Sequence, residues 1–374
     1  MTVVTDTTRR ALIETSGVQL PPTVRILYFR PRWLRAAPLN STTAQFLYTA
    51  WQFCILGFVR NLHRLEPFDL AIHCTYSVFR HPSFLGYLGI PFIFGPVGGG
   101  EDAPFVLKRS ICGWEKYKEF LRVVANKIAL VDPFLWLSYS RVTLILVSTD
   151  QTRHALPWGF RKRAVVYSNL GVDTLSDARP NCRIEGKPLQ ILFAGRLLGW
   201  KGVHLVIRAF AMARDRGVNI ELTILGDGPY IGELRRVAAS VRVEPEIRWL
   251  RHLPQPEVFM LYRSMHAFIF PSLHDSGGTV VLEAQSFGVP VICLDIGGPA
   301  TLVTHDSAII VSTHHRSEAD VVNGLANAIQ HLADDELSRL AMSMAAIKHA
   351  REDMSWERRV YGIFPLIDQA IRGG

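Results

Sequence analysis

The stretch PSLHDSGGTVVLEAQSFGVPVI, residues 271–292, decides how this sequence is read. Just before it, HAFIF reads as a buried strand that stops at Pro271. Just after the Asp-Ser-Gly-Gly loop, Val280, Val281, Leu282, Ala284 and Phe287 recur at mixed one- and three-residue spacing. That pattern predicts a well-covered helix ending at Gly288-Val289-Pro290. A strand, a Gly-rich loop and a helix together form a shape that binds anions. Free N–H groups at the helix start point outward, and the helix dipole adds partial positive charge. A tight turn that needs glycine for backbone reasons alone explains the same letters, so the rest of the chain has to decide.

Outward from this loop the pattern is regular. LQILFAGR, IELTILGDG, EIRWL, AFIFPS, PVICLD and AIIVS read as strands from residue 189 onward. Between them, GVHLVIRAFAMARDRG, PYIGELRRVAASVR and PEVFMLYRSM read as helices, IGGPA as a loop, and residues 317–333 as a long helix. Strands alternating with helices at this spacing predict a parallel, doubly wound sheet, with ligands at the carboxyl ends of its strands. Arg196, Gly226, Asp227, Arg251, His252, Asp275 to Thr279 and Asp295 to Pro299 all fall at such ends.

The first half is less regular but also α/β. TVVT, TVRILYF, FDLAIHCT, PFIFGPV, VTLILVST and AVVYSNLG read as strands. TAQFLYTAWQFCILGFVRNLHRL and EKYKEFLRVVANKIALV read as helices. Residues 176–188, SDARPNCRIEGKP, are polar and aperiodic and read as a linker. The expected organisation is a first domain over 1–180, a linker over 181–188 and a second domain over 189–352. A closing amphipathic segment over 353–374 has a path back to the first domain.

Composition bounds the function. The chain has 374 residues, is 48% hydrophobic and 20% charged, and carries a net charge of +8. Two ordinary globular domains are expected. The basic balance fits an anionic partner, whether nucleic acid, a membrane surface or a phosphorylated small molecule, and fits equally a basic surface without a partner. The five cysteines are scattered and never in C-x-x-C spacing, so neither a disulfide framework nor a zinc site is expected, and a reducing cytosol fits. The longest apolar run, YTAWQFCILGFV at 48–59, is too short to span a bilayer, which needs about 20 residues.

Several side chains have chemistry suited to a ligand. Arg196 and Lys201 lie five residues apart, one before a loop and one at a helix start, and both can aim at a phosphate. Two solvated surface cations are the alternative. Glu283, early in the helix after the Gly-rich loop, can grip a diol such as ribose, or simply suit the helix dipole. Asp275 can hold sugar hydroxyls, or serve as an Asx-type loop residue. His73 ends a strand and can hydrogen-bond a substrate hydroxyl, or be a satisfied structural histidine. Gly98, Gly99, Gly100 and Glu101, in GPVGGGEDAP, let backbone approach a ligand or merely make a turn.

FAGRLLGWKG, ILGDGP and the 271–292 stretch, in this order and spacing, resemble the retaining, nucleotide-sugar-dependent glycosyltransferases of GT-B fold, glycosyltransferase family four. The resemblance runs from about residue 189 to the end. FDLAIHCT, IPFIFGPVGGGEDAP and SNLGVD are similar to the acceptor-side domain of one branch. It implies two facing Rossmann-like domains and transfer of a sugar from a nucleoside diphosphate to an acceptor hydroxyl with retention. Arg196 and Lys201 would neutralise the departing diphosphate. Asp275 would contact the donor sugar and Glu283 the ribose. The backbone of Gly277, Gly278 and Thr279 would cap phosphate and sugar, with Gly226 nearby and the base near Arg251, His252 and Leu253. His73 falls near a family histidine that reaches the donor sugar. Neither a metal nor another cofactor is implied, because side chains and a helix start stabilise the charge. No Asp-x-Asp pair suited to a metal occurs in the sequence.

Two departures stand out. The first acid is Asp275 where the family has Glu, one methylene longer. The sequence also starts inside what would be the family's second strand, so one βα unit of the first domain is expected to be missing. The expected role is in surface polysaccharide or glycolipid synthesis, in the cytoplasm or at the inner membrane face. A catalytically impaired nucleotide-sugar-binding or scaffold protein is the alternative. RPRWLR (30–35) and RSICGWEKYK (109–118) mix basic and aromatic residues, as suits an anionic membrane. No nucleic-acid-binding signature occurs.

Overall fold

The computed structural model describes residues 1–34, 44–74, 78–168, 170–175 and 177–372. Arg35 of RPRWLR, Thr75 at the end of FDLAIHCT, Asn169 of SNLGVD and Ser176 of the linker lie outside the described residues.

The strands are β1 (Thr2–Thr5), β2 (Arg25–Tyr28), β3 (Ala71–His73), β4 (Phe92–Val97), β5 (Leu144–Val147), β6 (Ala164–Val166), β7 (Leu189–Ala194), β8 (Ile220–Leu225), β9 (Ile247–Leu250), β10 (Ala267–Phe270), β11 (Val291–Leu294) and β12 (Ala308–Val311). The helices of the first half are α1 (Arg10–Glu14), α2 (Ala44–Leu65), α3 (Phe105–Lys108), α4 (Gly113–Ala129), α5 (Pro133–Ser140) and α6 (Asp150–Ala155). Those of the second half are α7 (Val203–Asp215), α8 (Ile231–Ser240), α9 (Gln255–Ser264), α10 (Thr279–Ser286), α11 (Gly297–Thr301), α12 (Glu318–Asp334), α13 (Glu336–Glu352) and α14 (Trp356–Arg372).

The second half forms one six-stranded sheet in the order β12-β11-β10-β7-β8-β9. Every neighbouring pair is parallel. Strands buried on both faces need apolar residues throughout, and LQILFA, AFIF and VICL supply them. Counted from β7, the order is that of the doubly wound nucleotide-binding sheet, and it reverses between β7 and β10. Helices α7 and α12 pack together on one side. Helix α12 starts at a capping box in which Ser317 and Asp320 satisfy each other's backbone N–H.

The first half holds a four-stranded parallel sheet, β3-β4-β5-β6, and a separate parallel pair, β1-β2. Phe79, Phe92, Phe94, Leu135, Tyr139 and Ile145 pack its main core. Helix α14 lies on the opposite face of the sheet, where Ile367 meets Ile93, Leu144 and Leu146. Arg359 of α14 sits 4.0 Å over the Tyr167 ring, and the Tyr167 hydroxyl donates to the Arg359 carbonyl. The last helix of the chain is therefore part of the first sheet's packing.

One expected loop is a helix, and helix α13 lies in a stretch for which no element was expected. IGGPA was expected as a loop, but Gly297–Thr301 forms a short helix whose first N–H groups are taken by the Gln151 side chain (3.0 Å) and the Asp275 carbonyl (2.5 Å). Partners distant in sequence make this turn worthwhile. Helix α13 carries no apolar stripe, since ELSRLAMSMAAIKHARE scatters its small and apolar residues around the helix. It is held by packing on α10 and by Arg339.

Arg339 is fully buried. It donates to both Glu336 oxygens (2.9 and 2.5 Å) and to the carbonyl of Asn181 (2.7 Å). The Arg183 amide also donates to Glu336, at 3.0 Å. The polar 177–188 segment is thereby fastened to the second half. Losing a buried charge-assisted cluster costs about 3 kcal/mol. Arg339→Leu should lower the unfolding free energy by about that amount in a denaturant titration, and an unchanged midpoint would show the cluster to be dispensable.

Candidate functional site

All six strands of the second sheet run the same way, so the loops after β7, β8, β9, β10 and β11 leave one common edge. At the reversal between β7 and β10 two loops diverge and leave a crevice. Glycines let the backbones crowd there. A Cβ on Gly226 (φ 151°) would stand 1.9 Å from the Gly195 carbonyl oxygen. A Cβ on Gly202 (φ 73°) would stand 2.1 Å from the Pro271 carbonyl oxygen. Gly202 therefore seats the start of α7 directly on the β10 loop, which brings Lys201 across the crevice.

Lys201 forms an ion pair with Asp275 there, and both side chains are largely buried. Its ammonium lies 4.4 Å over the Trp200 ring and 4.9 Å over the Phe270 ring. Two aromatic faces and one carboxylate hold the cation in place. His274 stacks on the other partner, Trp200, with centroids 4.4 Å apart. Its Nε2 stands 2.9 Å from Glu119 of α4. Burial pushes the Glu119 carboxyl up, but His274 and Arg122 outweigh it and hold it down at about 2.

The remaining residues singled out from the second half sit around this pair. Arg196 is exposed at the β7 end and makes no ion pair among the described residues. Arg251 is also exposed and donates twice to Asp227, at 2.9 and 3.2 Å. His252 is exposed and Leu253 half-buried beside it. Gly278 (φ 133°) is the N-cap of α10, and no side chain caps it. Thr279 opens that helix and is exposed. Gly277 lies under Leu170, whose Cδ1 would be 2.8 Å from an added Cβ. Glu283, one turn into α10, accepts from the Tyr262 hydroxyl at 3.2 Å. Burial raises its carboxyl above the usual glutamate value, and the Tyr262 bond only partly opposes this.

The first-half residues are placed differently. His73 is buried, hydrogen-bonded to the Tyr48 hydroxyl and packed 5.3 Å from the Phe94 ring. It pairs with Phe94 across the sheet, whereas the glycine loop follows the end of β4 at Val97. These contacts of His73 lie within the first half. The three glycines approach protein: a Cβ on Gly98 would stand 2.3 Å from Ser276, and one on Gly100 2.6 Å from Thr152 and Ala155. Glu101 is fully buried. One carboxylate oxygen accepts from Thr149 and Thr152, each at 2.6 Å. The other accepts from the Gly99 amide at 2.8 Å and from Ser276 at 2.5 Å. Ser276 belongs to the second half, so Glu101 ties the two halves together.

Further contacts cross between the halves. Gln151 meets Gly297, Ile111 packs on Gly199, and the Cys112 amide donates to the Tyr230 hydroxyl at 2.9 Å. The strand-end edge is thus partly covered by the first half, with Lys201, Asp275 and the α10 start beside the covered region.

Sequence reasoning missed Trp200, Tyr262, His274 and Glu119. Trp200 and His274 adjoin Lys201 and Asp275, so adjacency was the available signal. Tyr262 and Glu119 gave none, since each sits inside an ordinary helical pattern. Among the described residues no cluster of three His, Cys, Asp or Glu side chains is placed to hold a metal ion.

Parts of the chain match known proteins in sequence and in fold. Residues 176–349 match the family described as "Glycosyl transferases group 1". The chain is similar to D-inositol 3-phosphate glycosyltransferase of Pseudarthrobacter chlorophenolicus, 30% identical over 48% of this chain and 43% of that protein. The enzyme of that name from Corynebacterium glutamicum is 31% identical over the same shares. The matched part therefore spans less than half the length of these curated relatives. Among solved structures, sucrose-phosphate synthase from Thermosynechococcus elongatus superimposes with a TM-score of 0.64 at 16% identity, over 96% of this chain and 86% of that one. Anabaena HepE, solved with UDP-glucose, gives 0.57 at 15% identity over 100% and 92%. These superpositions establish the fold: parallel sheets arranged as in GT-B glycosyltransferases over the whole chain. The second half of the chain, over residues 176–349, thus matches the glycosyl transferases group 1 family, and the whole chain has the fold of GT-B glycosyltransferases.

Proposed function

We propose that the chain transfers a sugar from a nucleoside-diphosphate donor to an acceptor hydroxyl with retention of configuration, in the assembly of a surface polysaccharide or glycolipid. The observation that carries this reading is the Lys201–Asp275 pair at the strand-order reversal, beside the uncapped start of α10. The free N–H groups of that helix start and the Lys201 ammonium converge where a diphosphate would collect negative charge. In this reading Lys201 exchanges Asp275 for the leaving diphosphate. Asp275 is thereby freed to take the donor sugar's hydroxyls. Exposed Arg196 adds a second cation, and Glu283 accepts from the ribose diol. Arg251 to Leu253 border the base. The HepE structure with UDP-glucose supports the donor class.

The first half then supplies the acceptor side, and an acceptor carried on lipid would place the enzyme at the inner membrane face. A second reading, a nucleotide-sugar-binding protein without transfer, draws on the same observation. Lys201 is already neutralised, and Ser276 is already bonded to Glu101. Donor binding without sugar release to any acceptor would select it.

Lys201→Ala should lower kcat/KM at least about 100-fold and weaken donor binding in calorimetry, as expected for a lost phosphate-stabilising charge. Equal donor affinity in wild type and variant would remove Lys201 from the site. Glu283 binds a diol as its carboxylate. Its raised value means that donor affinity should fall, with decreasing pH, beginning above the ordinary glutamate range near about 4.3. Glu283→Gln should weaken binding at neutral pH and abolish that acid limb. A variant that keeps the limb would assign it to another group.

A further inference from the structure

Helix α4 is built inside out. A surface helix normally turns apolar residues inward and charges outward. Here the inward face carries Glu115, Glu119, Arg122 and Asn126, each with work to do. Arg122 donates to the Glu101 carbonyl at 2.8 Å and to Asp102 and Glu119. Asn126 donates to the Gly99 carbonyl at 3.0 Å. Glu119 stands by His274, and Glu115 packs on Gly199. The outward face is apolar: Trp114, Tyr117, Leu121 and Ile128 follow one another at helical spacing, with Phe120 beside them. Trp114 is 67% exposed, Phe120 62% and Ile128 60%. Phe105 of α3, Val131, and Phe134 and Leu137 of α5 are also exposed nearby in the chain.

The charge on this segment is one-sided. Between Phe105 and Leu137 the chain carries Lys108, Arg109, Lys116, Lys118, Arg122 and Lys127 against three acids. Glu115 and Glu119 are buried, and Asp132 caps α5 by accepting from the Phe134 amide. Arg109, Lys116 and Lys127 are exposed and make no ion pair among the described residues. Arg109 lies 4.7 Å over the Phe105 ring. Aromatic and aliphatic side chains rimmed by unpaired cations match an anionic lipid surface, where rings enter the headgroup boundary and cations meet phosphate. A second copy of the chain would bring one cationic rim against another. The other basic-aromatic segment is a weaker candidate, because Arg30 is buried and donates to the Leu34 carbonyl.

We propose that α4, with the adjoining start of α5, docks the chain on an anionic bilayer. The proposal deepens the membrane-side reading above but stands on the surface and not on the donor chemistry. One consequence follows from the helix's inner face. The residues that hold the Gly99–Asp102 loop and approach His274 sit on the back of the docking surface. Docking thus fixes the crevice relative to the membrane.

The test is co-sedimentation of the full chain with phosphatidylcholine vesicles, with and without phosphatidylglycerol, at low and high salt. Wild type should partition onto the phosphatidylglycerol vesicles at least tenfold more strongly than onto phosphatidylcholine alone, and less at high salt. Phe120→Glu/Ile128→Glu should lower that partition at least tenfold, and Lys116→Glu/Lys127→Glu should flatten its salt dependence. Met260→Glu, an exposed apolar site on α9, should change neither. Donor-nucleotide binding in solution should be equal in wild type and Phe120→Glu/Ile128→Glu, which separates this test from that of the transfer reaction. Absence of lipid-dependent pelleting, or equal pelleting of wild type and Phe120→Glu/Ile128→Glu, overturns the proposal. So does a two-chain mass in light scattering that falls to one chain in that variant, since the face would then bind a second copy. If the variant unfolds at a lower denaturant concentration, tryptophan quenching by brominated lipid decides instead. Quenching that drops in Trp114→Phe supports docking through α4, and undiminished quenching overturns it.

Discussion

The bond between Lys201 and Asp275 spans the place where the second sheet reverses its strand order, and the local architecture is arranged around it. Gly202 gives up its Cβ so that α7 can start against Pro271. Trp200 and Phe270 give the ammonium two aromatic faces. Gly298 closes on the Asp275 carbonyl, which holds the acid's loop from the far side. A largely buried cation and anion kept together are a neutral resting state, and a charged ligand must offer the cation a better partner. A diphosphate, with charge over several oxygens and a helix start beside it, is such a partner.

The two halves meet through a second buried carboxylate handled in the opposite way. Among the described residues no cation pairs with the Glu101 oxygens; three hydroxyls and one amide donate to them. A buried carboxylate is tolerable only when such donors replace water. One of the donors, Ser276, lies next to Asp275. The contact that joins the halves and the pair that sits in the crevice are therefore neighbours on one loop.

Helix α4 adds a third party to the same loop. Its polar side holds Gly99 to Asp102 and approaches His274, while its apolar side faces outward. The inversion is costly for an isolated helix in water and makes sense only if both faces are used. The inner face is used by the crevice loop, and the outer face is suited to a lipid surface.

Much of this was readable in the sequence. The strands from LQILFA to AIIV, the Gly-rich loop after AFIF and the placing of Lys201, Asp275 and Glu283 in segments that follow strands come from local periodicity. Such features depend on chain neighbours, so they survive without coordinates. Tertiary structure decided the rest. It paired Lys201 with Asp275, set His73 against Tyr48 and Phe94, and buried Glu101 beside Ser276. It also turned IGGPA into a helix and set α4 with its charges inward. Each of these outcomes depends on a partner far away in the chain, and no periodicity or spacing in one segment encodes which distant group will satisfy a buried charge.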